Sequence, residues 1–348
     1  MDESRDNLIQ QTVRGFRWSM RPGLQGELLS EDGLRLREWI AAGQASVVKQ
    51  GPHRIVYRVD LPHLRFYVKH NLVQDQRSWF RQLLRASKAR IEFDCIREAT
   101  ARGIPTIHAL ALAEEEARVG TGESFLITQT LDDCIPLHLF LAGVLPTFAE
   151  PRASRLRQRL AVELGKLIAR VHDAGLLHHD LHAANLLVRI GDKDRIELFV
   201  IDLLAVKIGP PLDWEQSRDN LVMLNCWFTL RVNRADRLRF WKAYFLARQL
   251  GAWQKDPHGV RRYLRELPVI EALSWKRNLR FWGRRDKRCL VNNRYYQKLK
   301  APGLVGHAVT EVDPEDLAKL LRDPDAPFRD PGARVLKDSI SATVIEMT

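Results

Sequence analysis

Two hydrophobic patterns follow one another along the chain, and their order restricts the possible folds more than any other feature. Three short runs rich in β-branched and aromatic residues come first, and only Gly-Pro and Pro-His turns separate them. Connections this short predict an antiparallel meander. A helix is expected next, from about Ser78 to Arg102, before 124–131 returns to the strand pattern. The three runs of the meander are 46–51, 54–61 and 65–72.

The second pattern is helical and begins at Pro151. Its apolar residues recur at spacings of three and four, which predicts a helix with one buried face that ends at Gly175. Two strands are expected next, at 185–190 and 196–206, with a hairpin turn between them. The rest, to about Gln297, is predicted to be mainly helical. The apolar face is formed by Leu156, Leu160, Leu164, Leu167, Ile168 and Val171.

This order predicts an α+β chain with two lobes and a cleft between them. Residues 46–130 are expected to form an N-lobe of antiparallel sheet plus one helix, and 131–310 a mainly helical C-lobe. Residues 1–45 are predicted to be a mixed, partly helical lead-in, and 311–348 a tail. The tail ends in strand-like VLKDSISATVIEMT. This segment is either the start of another domain or a strand that caps this one.

The charge balance favours an anionic partner. The chain has 55 Lys and Arg residues against 43 Asp and Glu residues, a formal charge of +12. Phosphate, nucleic acid or an acidic membrane surface would each satisfy this surplus. No membrane span or signal peptide is predicted. None of the four cysteines forms a CxxC pair, so we expect neither a zinc site nor disulfides, and a cytoplasmic location.

The segment 176–206 carries the pattern that most directly indicates chemistry. His178, Asp180 and Asn185 follow the arrangement HxDxxxxN, and Asp202 lies at the close of an apolar strand. Phosphoryl transfer needs a carboxylate to orient the attacking hydroxyl and oxygen ligands to hold magnesium. Asp180 is the candidate for the first task, and Asn185 with Asp202 for the second.

A cation for the phosphate groups is expected from the upstream half of the chain. Lys69 ends the third run of the meander, where kinases keep a phosphate-binding lysine. Its ion-pair partner should lie on the following helix, where Glu92 and Glu98 compete and Asp94 is also present. We favour Glu92, because its position well before the helix end lets it face the sheet.

Six segments together resemble the protein-kinase-like superfamily and, within it, the bacterial lipopolysaccharide kinase family of the Kdo/WaaP type, over about residues 45–300. The resemblance implies that Lys69 binds the phosphates of ATP, that Glu92 positions it, and that Asp180 is the catalytic acid-base residue. The segments are QGPHRIVYRV, FYVKHNL, SKARIEFDCIREATARGIPT, HHDLHAANLLV, VIDLLAVKIG and WEQSRDNLVMLN.

The same resemblance implies the remaining ligands and partners. Asn185 and Asp202 would hold Mg²⁺, Gly51 would belong to the phosphate-covering loop, and the backbone from Gln129 to Leu131 would contact adenine. The acceptor would be a lipopolysaccharide core or related glycolipid, at the cytoplasmic face of the inner membrane. Asp219 would hydrogen-bond the catalytic loop, and no nucleic-acid partner is expected.

Departures from the protein-kinase pattern favour a glycolipid or small-molecule acceptor over a protein. The phosphate-covering loop keeps one glycine, Gly51, where protein kinases have three. His179 replaces the arginine that anchors a phosphorylated activation loop, and Leu203 and Leu204 follow Asp202. Little chain is left there for docking a peptide.

Three other interpretations remain open. The acceptor could be a protein or small metabolite, or the chain could be a pseudokinase that binds nucleotide without transferring phosphate. His179-Asp180 also resembles the dyad of HD phosphohydrolases, which lies on a helix. His182 is expected to line the active site.

Two basic stretches mix cations with Trp and Leu, at 77–90 and 276–300. They are either solvated faces or contacts for anionic lipid headgroups or a phosphorylated sugar core.

Overall fold

The computed structural model describes residues 8–72, 86–116, 122–248, 259–301, 303–339 and 342–346. Two compact units divide after Ser274, one comprising 1–274 and the other 275–348. The predicted boundaries at residues 45, 130 and 310 stay predictions.

The described strands and helices alternate in the order that an α+β fold requires. The strands are β1 (Ile9–Val13), β2 (Phe16–Met20), β3 (Leu29–Ser30), β4 (Gly33–Leu34), β5 (Ala45–Gly51), β6 (Arg54–Asp60), β7 (Arg65–Asn71), β8 (Ala109–Glu115), β9 (Ser124–Gln129), β10 (Ile135–Pro136), β11 (Leu176–His178), β12 (Leu186–Gly191), β13 (Arg195–Val200), β14 (Val206–Ile208), β15 (Tyr296–Ala301), β16 (Leu304–Val309), β17 (Arg334–Ser339) and β18 (Ala342–Glu346). The helices are α1 (Gln25–Leu28), α2 (Leu36–Ala41), α3 (Lys88–Ala101), α4 (Leu137–Leu139), α5 (Arg152–Asp173), α6 (Trp214–Phe228), α7 (Arg234–Ala247), α8 (Gly259–Cys289), α9 (Pro314–Arg322) and α10 (Ala326–Arg329).

A seven-stranded antiparallel sheet of order β1-β2-β8-β9-β7-β6-β5 dominates the first half of the larger unit. The meander predicted at 46–72 forms β5 to β7. Two strands come from the segment before residue 46, where only a mixed lead-in was expected. The turn between them, Arg14-Gly15, has positive φ at both residues, as two-residue hairpins of this type require.

Helix α3 packs against this sheet through Phe93, Ile96 and Ala99, all buried. It begins at Lys88 because the Ser87 hydroxyl accepts a hydrogen bond from the Arg90 N–H at 3.0 Å. The single helix expected from about Ser78 is wrong at Ala86 and Ser87, which are not helical, and residues 78–85 lie outside the described residues. The helix stops as expected before Gly103, which adopts φ +74°.

Helix α5 forms the centre of the helical half of the larger unit. Its predicted apolar face is buried, and the helix ends at Asp173, before Gly175 with φ +77°. At Gly165 the helix approaches α7 so closely that a Cβ atom would lie 2.5 Å from the Phe240 carbonyl oxygen. Glycine is therefore required there for the two helices to pack.

A hairpin, β12–β13, follows the loop after α5, as predicted. The single strand expected over 196–206 is wrong, because β13 ends at Val200 and the backbone turns at Asp202. Asp202 adopts the left-handed conformation, with φ 60° and ψ 54°. The chain then pairs again as β14, whose partner is β11 rather than β12. This break brings Asp202 beside the loop that begins at His178.

The smaller unit contains two antiparallel hairpins, β15–β16 and β17–β18, with α9 between them in sequence. The strand-like tail segment pairs with itself to form the second of these hairpins.

Candidate active site

A buried carboxylate anchors the upstream half of the site. Glu92 on α3 is 1% exposed, and its Oε1 atom forms an ion pair with Lys69 Nζ on β7. Arg54 Nη2, on β6, donates to the other oxygen, Oε2, at 3.0 Å. Glu98 instead pairs with Arg102 at 2.7 Å on the exposed side of the helix, and Asp94 is also exposed. The structure therefore places Glu92, of the three acidic candidates, against Lys69.

The Glu92 position follows from the geometry of α3. Phe93, Ile96 and Ala99 bury one face against the sheet, and Glu92 lies beside that face. Lys69 lies on β7 between its neighbours Val56 on β6 and Leu126 on β9. A buried carboxylate requires a compensating charge, and Lys69 and Arg54 supply it.

The loop from His178 to Asn185 is fixed by hydrogen bonds to its own backbone. The Asp180 N–H donates to His178 Nδ1 at 3.2 Å, so the proton of the neutral ring lies on Nε2, which donates to the Ile201 carbonyl at 3.2 Å. Burial lowers the pKa of His178, which keeps the ring neutral in this role. His178 thus ties the loop to the residue before Asp202.

A chain of buried polar groups supports this loop from beneath. The Asn220 amide donates to the His178 carbonyl at 2.6 Å, and its Oδ1 accepts from His172 Nε2 at 3.1 Å. The other His172 nitrogen, Nδ1, accepts from the Tyr244 hydroxyl at 2.8 Å. Burial lowers the pKa of His172 to about 3 and raises that of Tyr244 to about 12. All three side chains therefore stay neutral at physiological pH.

The expectation that Asp219 hydrogen-bonds the catalytic loop is wrong. Its side chain is 70% exposed and lies 3.8 Å from Arg218. Asn220, the next residue on α6, faces the interior and makes the contact. Sequence reasoning missed Asn220 and His172 because an amide and a histidine inside helical patterns resemble ordinary core or surface residues. Only their position relative to the HxDxxxxN segment distinguishes them.

The Asp180 carboxylate remains accessible. Its side chain is 59% exposed, and His182 Nε2 lies 3.4 Å from Asp180 Oδ2. The His182 Nδ1 atom accepts from the Ala184 N–H at 3.1 Å, which orients the ring. His182 thus lies beside Asp180, where a residue that lines the site is expected.

Asn185 and Asp202 offer oxygen atoms that the described part of the chain does not use. The Asn185 amide nitrogen donates to the Asp180 carbonyl at 2.8 Å, which leaves its Oδ1 available as a ligand. The Ile201 N–H donates to the Asn185 carbonyl at 3.0 Å, so Asp202 lies beside it. Within the described ranges, no protein donor binds the Asp202 carboxylate.

This donor set fits magnesium better than a transition metal. Mg²⁺ takes one or two protein oxygens and completes its shell with water and substrate phosphate. No group of three His, Cys, Asp or Glu residues in the described part of the chain could hold a metal ion. The three loop histidines are therefore not a metal cluster. His179 and Asp180 lie in a loop, whereas the HD phosphohydrolase dyad requires a helix.

The residues predicted to contact nucleotide lie around the sheet. Gly51 ends β5 opposite Arg54, and a Cβ there would meet only the Arg54 carbonyl oxygen, at 3.7 Å. Packing within the chain therefore does not require this glycine. The Gln129 N–H donates to the His108 carbonyl at 2.8 Å, so it is already engaged, and Leu131, two residues on, is half-buried. Contact with adenine at these two residues stays a prediction.

The buried His172 predicts a pH dependence of stability. Its folded pKa of about 3 lies below its ordinary value of 6.5, so the unfolded chain binds more protons between these pH values. The free energy of unfolding should therefore fall as pH decreases from 6.5 toward 3, by roughly 5 kcal/mol from this group, and stay unaffected by it above 6.5.

Denaturant unfolding at several pH values checks this expectation. His172→Gln should flatten the loss of stability below pH 6.5, whereas the exposed His63→Gln control should keep it. An identical pH profile in wild type and His172→Gln would contradict the assigned role of the buried ring.

A comparison with known protein families shows to which family the chain belongs. The profile of the lipopolysaccharide kinase (Kdo/WaaP) family matches residues 43–244, more than half of the chain. The chain belongs to this family. The match includes Lys69, Glu92, Asp180, Asn185 and Asp202, and the two-lobed α+β fold expected for kinase-like proteins agrees with the sheet and helices described above.

Two curated family members are similar to part of the chain. The lipopolysaccharide core heptose(I) kinase WaaP of Pseudomonas aeruginosa PAO1 is 27% identical over 163 residues, 45% of this chain and 59% of that protein. The protein of the same name from Escherichia coli K12 is 24% identical over 159 residues, 44% of this chain and 58% of that protein. The chain thus spans somewhat less than three-fifths of the length of these relatives.

A solved structure described as WaaP in complex with acyl carrier protein also resembles this chain. The TM-score is 0.49 at 20% identity, and the similarity covers 74% of this chain and 99% of that chain. None of the described helices has the length and apolar character needed to cross a bilayer.

Proposed function

We propose that the chain is an ATP-dependent kinase that transfers a phosphoryl group to a sugar hydroxyl of a lipopolysaccharide core or related glycolipid. The observation that carries this proposal is the loop around Asp180. An accessible carboxylate on Asp180 lies on a hydrogen-bonded loop with the Asn185 amide oxygen and the Asp202 carboxylate, neither of which has a protein donor among the described residues. Phosphoryl transfer requires these groups, because it depends on positioning and charge stabilisation.

Each residue has a distinct task in this proposal. Asp180 accepts or orients the proton of the attacking hydroxyl. Lys69 binds the phosphates of ATP, and Glu92 holds Lys69 in place. Asn185 and Asp202 would hold Mg²⁺, which would neutralise negative charge on the phosphates. The buried neutral histidines, His178 and His172, keep the loop backbone in position.

The nucleotide would lie against the sheet. Gly51 permits a phosphate to approach the backbone of the β5–β6 turn, since glycine carries no side chain. The backbone between Gln129 and Leu131 would contact the adenine.

The acceptor class follows from the family and from the names of the relatives. Both curated relatives are heptose(I) kinases of the lipopolysaccharide core. A heptose hydroxyl of the core is therefore the acceptor we propose for this chain. The exposed Asp180 carboxylate is consistent with a large acceptor that approaches from solvent.

Mass spectrometry of envelope glycolipids, from cells with and without the gene, tests this function. Loss of one phosphate from a core species, restored by the wild-type gene but not by Asp180→Asn, would support it. An unchanged core would favour a protein or metabolite acceptor, or a pseudokinase.

We further infer that the chain acts at the anionic inner-membrane surface from the cytoplasmic side. Most of the first basic stretch, 77–85, lies outside the described residues. In the second, Leu279 and Trp282 are exposed on α8, and Trp275, directly before the stretch, lies four residues before Leu279 on the same helix; the three side chains are 45–69% exposed. Exposed cations surround them, including Lys276, Arg280, Arg284 and Lys287. Basic residues around exposed Trp and Leu are typical of a helix that binds anionic lipid.

Vesicle binding should depend on these cations. Each Lys or Arg near an anionic surface contributes on the order of 1 kcal/mol. The variant Lys276→Gln, Arg280→Gln, Lys287→Gln should therefore bind phosphatidylserine-containing vesicles about 100-fold more weakly, as measured by sedimentation at low salt.

A control with the same loss of charge is available in the same unit. Lys319, Arg322 and Arg329, changed together to Gln, should leave vesicle binding nearly intact. High salt should release the wild-type protein, because screening shortens the range of these interactions. Equal binding to neutral and anionic vesicles would contradict the electrostatic contribution.

A further inference from the structure

The turn proposed to cover the nucleotide phosphates has few backbone donors of its own. Two residues, Pro52 and His53, join β5 to β6, and Gly51 lies directly opposite Arg54. Proline has no backbone N–H. The turn also lacks the additional glycines that let a loop wrap closely around phosphate. A phosphate bound beneath it would need donors from another source.

Arg54 supplies a cation at this point of the sheet. Its Nη2 atom donates to Glu92 Oε2 at 3.0 Å, while Lys69 pairs with Oε1 of the same carboxylate. Glu92 is 1% exposed, Lys69 15% and Arg54 30%. Glu92 therefore holds two cations from neighbouring strands side by side, at the edge of the solvent.

The charges of Arg54, Lys69 and Glu92 do not cancel. Two cations share one carboxylate, and in the described part of the chain no other acidic side chain pairs with Arg54 or Lys69. One positive charge is left in a largely shielded place. Such a surplus favours an anionic ligand.

The Arg54 guanidinium also has unused donors. A guanidinium carries five N–H groups. Its Nε atom is shielded from solvent and has no acceptor among the residues that the structure describes. A shielded donor without an acceptor is unfavourable. The exposed part of the guanidinium therefore belongs to its terminal N–H groups, and those that Glu92 does not use could bind a phosphate oxygen and offset the surplus charge.

We propose that Arg54 is a second phosphate-binding cation, which contacts the phosphate groups of a nucleoside triphosphate beside Lys69 and replaces the missing backbone donors of the β5–β6 turn. This inference rests on the proposed kinase function. Glu92 then positions both cations through its two oxygens. The arrangement explains how a turn with one glycine holds phosphate.

Calorimetric binding of ATP, ADP and adenosine to the full chain tests this role. Arg54→Gln should weaken ATP binding about 10–100-fold, as expected for loss of a charged hydrogen-bond donor, and leave adenosine binding unchanged. Arg54→Lys keeps the charge with fewer donors and should show an intermediate loss. Arg58→Gln on the same strand is the control, because the ion-pair partner of Arg58 among the described residues is the exposed Asp60.

The outcomes separate this role from a structural one. Equal losses for ATP and adenosine would mean that Arg54 only supports the lobe, and would overturn the proposal. If a thermal melt showed that Arg54→Gln is unfolded, the same measurements on Arg54→Lys would decide between the two roles. A loss of affinity for ATP but not for adenosine would support phosphate binding, and equal losses would overturn it. If the wild type binds ATP and both Arg54 variants bind it equally well, the phosphate-binding role of Arg54 is overturned, but the kinase function is not. Failure of the wild type to bind ATP would overturn the kinase function as well.

Discussion

Replacing Asp180 with Asn should lower phosphoryl transfer by about 10²–10⁴-fold, the range typical for loss of general-base help. An amide cannot accept the hydroxyl proton, but it has nearly the same shape. The backbone contacts of the loop do not use the Asp180 side chain, since His178 and Asn185 bind its N–H and carbonyl. The fold and the affinity for ATP should therefore remain.

Single-turnover kinetics with saturating ATP measure this effect without interference from product release. Asp219→Asn is the matched control, because Asp219 is also an exposed carboxylate of the same unit and, among the described residues, its ion-pair partner is Arg218 rather than a residue of the loop. A normal rate in Asp180→Asn would remove Asp180 from the role of base. A loss of equal size in Asp219→Asn would show that charge in the region, rather than position, determines the rate.

Replacing Asp202 with Ala should damage magnesium-dependent ATP binding and turnover together. Residues that only support a metal ligand typically change metal affinity or activity by up to about 100-fold when they are replaced. Asp202 would be a direct ligand, so ATP binding and turnover should each fall by at least about 100-fold. Asp202 is half-buried and free of protein donors in the described ranges, so its removal breaks no hydrogen bond there. Alanine adopts the left-handed backbone of that residue, at φ 60°, less readily than aspartate does.

Magnesium titration of nucleotide binding distinguishes this effect from unfolding. In Asp202→Ala, ATP affinity should no longer rise with Mg²⁺, whereas Asp192→Ala, an exposed aspartate in the β12–β13 turn, should respond as wild type does. An unchanged magnesium response in Asp202→Ala would mean that another carboxylate holds the ion.

Local patterns predicted most of the secondary structure that frames the site. The meander over 46–72 and the buried face of α5 follow from side-chain periodicity, which depends on neighbours in sequence. The segment 196–206 shows the limit of this reasoning. Apart from Glu197 and Asp202 its residues are apolar, so periodicity alone cannot show that the chain breaks at Asp202 and that β14 pairs with β11.

The contacts within the site depend on residues distant in sequence, and these were harder to predict. The position of Glu92 in the helix favoured it over Glu98 and Asp94, and only the fold shows that Glu92 is the buried carboxylate that pairs with Lys69. The position of Arg54 opposite Gly51 has no signal in the sequence beyond a basic residue after a turn. Asn220 was missed in favour of Asp219, because two adjacent polar residues differ in orientation by about 100° on a helix.

The most direct test of the account is transfer of radiolabelled γ-phosphate from ATP to purified lipopolysaccharide core that lacks its heptose phosphate. The wild-type chain should label the heptose in a Mg²⁺-dependent reaction, and Asp180→Asn should label it at least about 100-fold more slowly. Absence of label with wild-type protein that binds ATP, or equal labelling by Asp180→Asn, would contradict the proposed function.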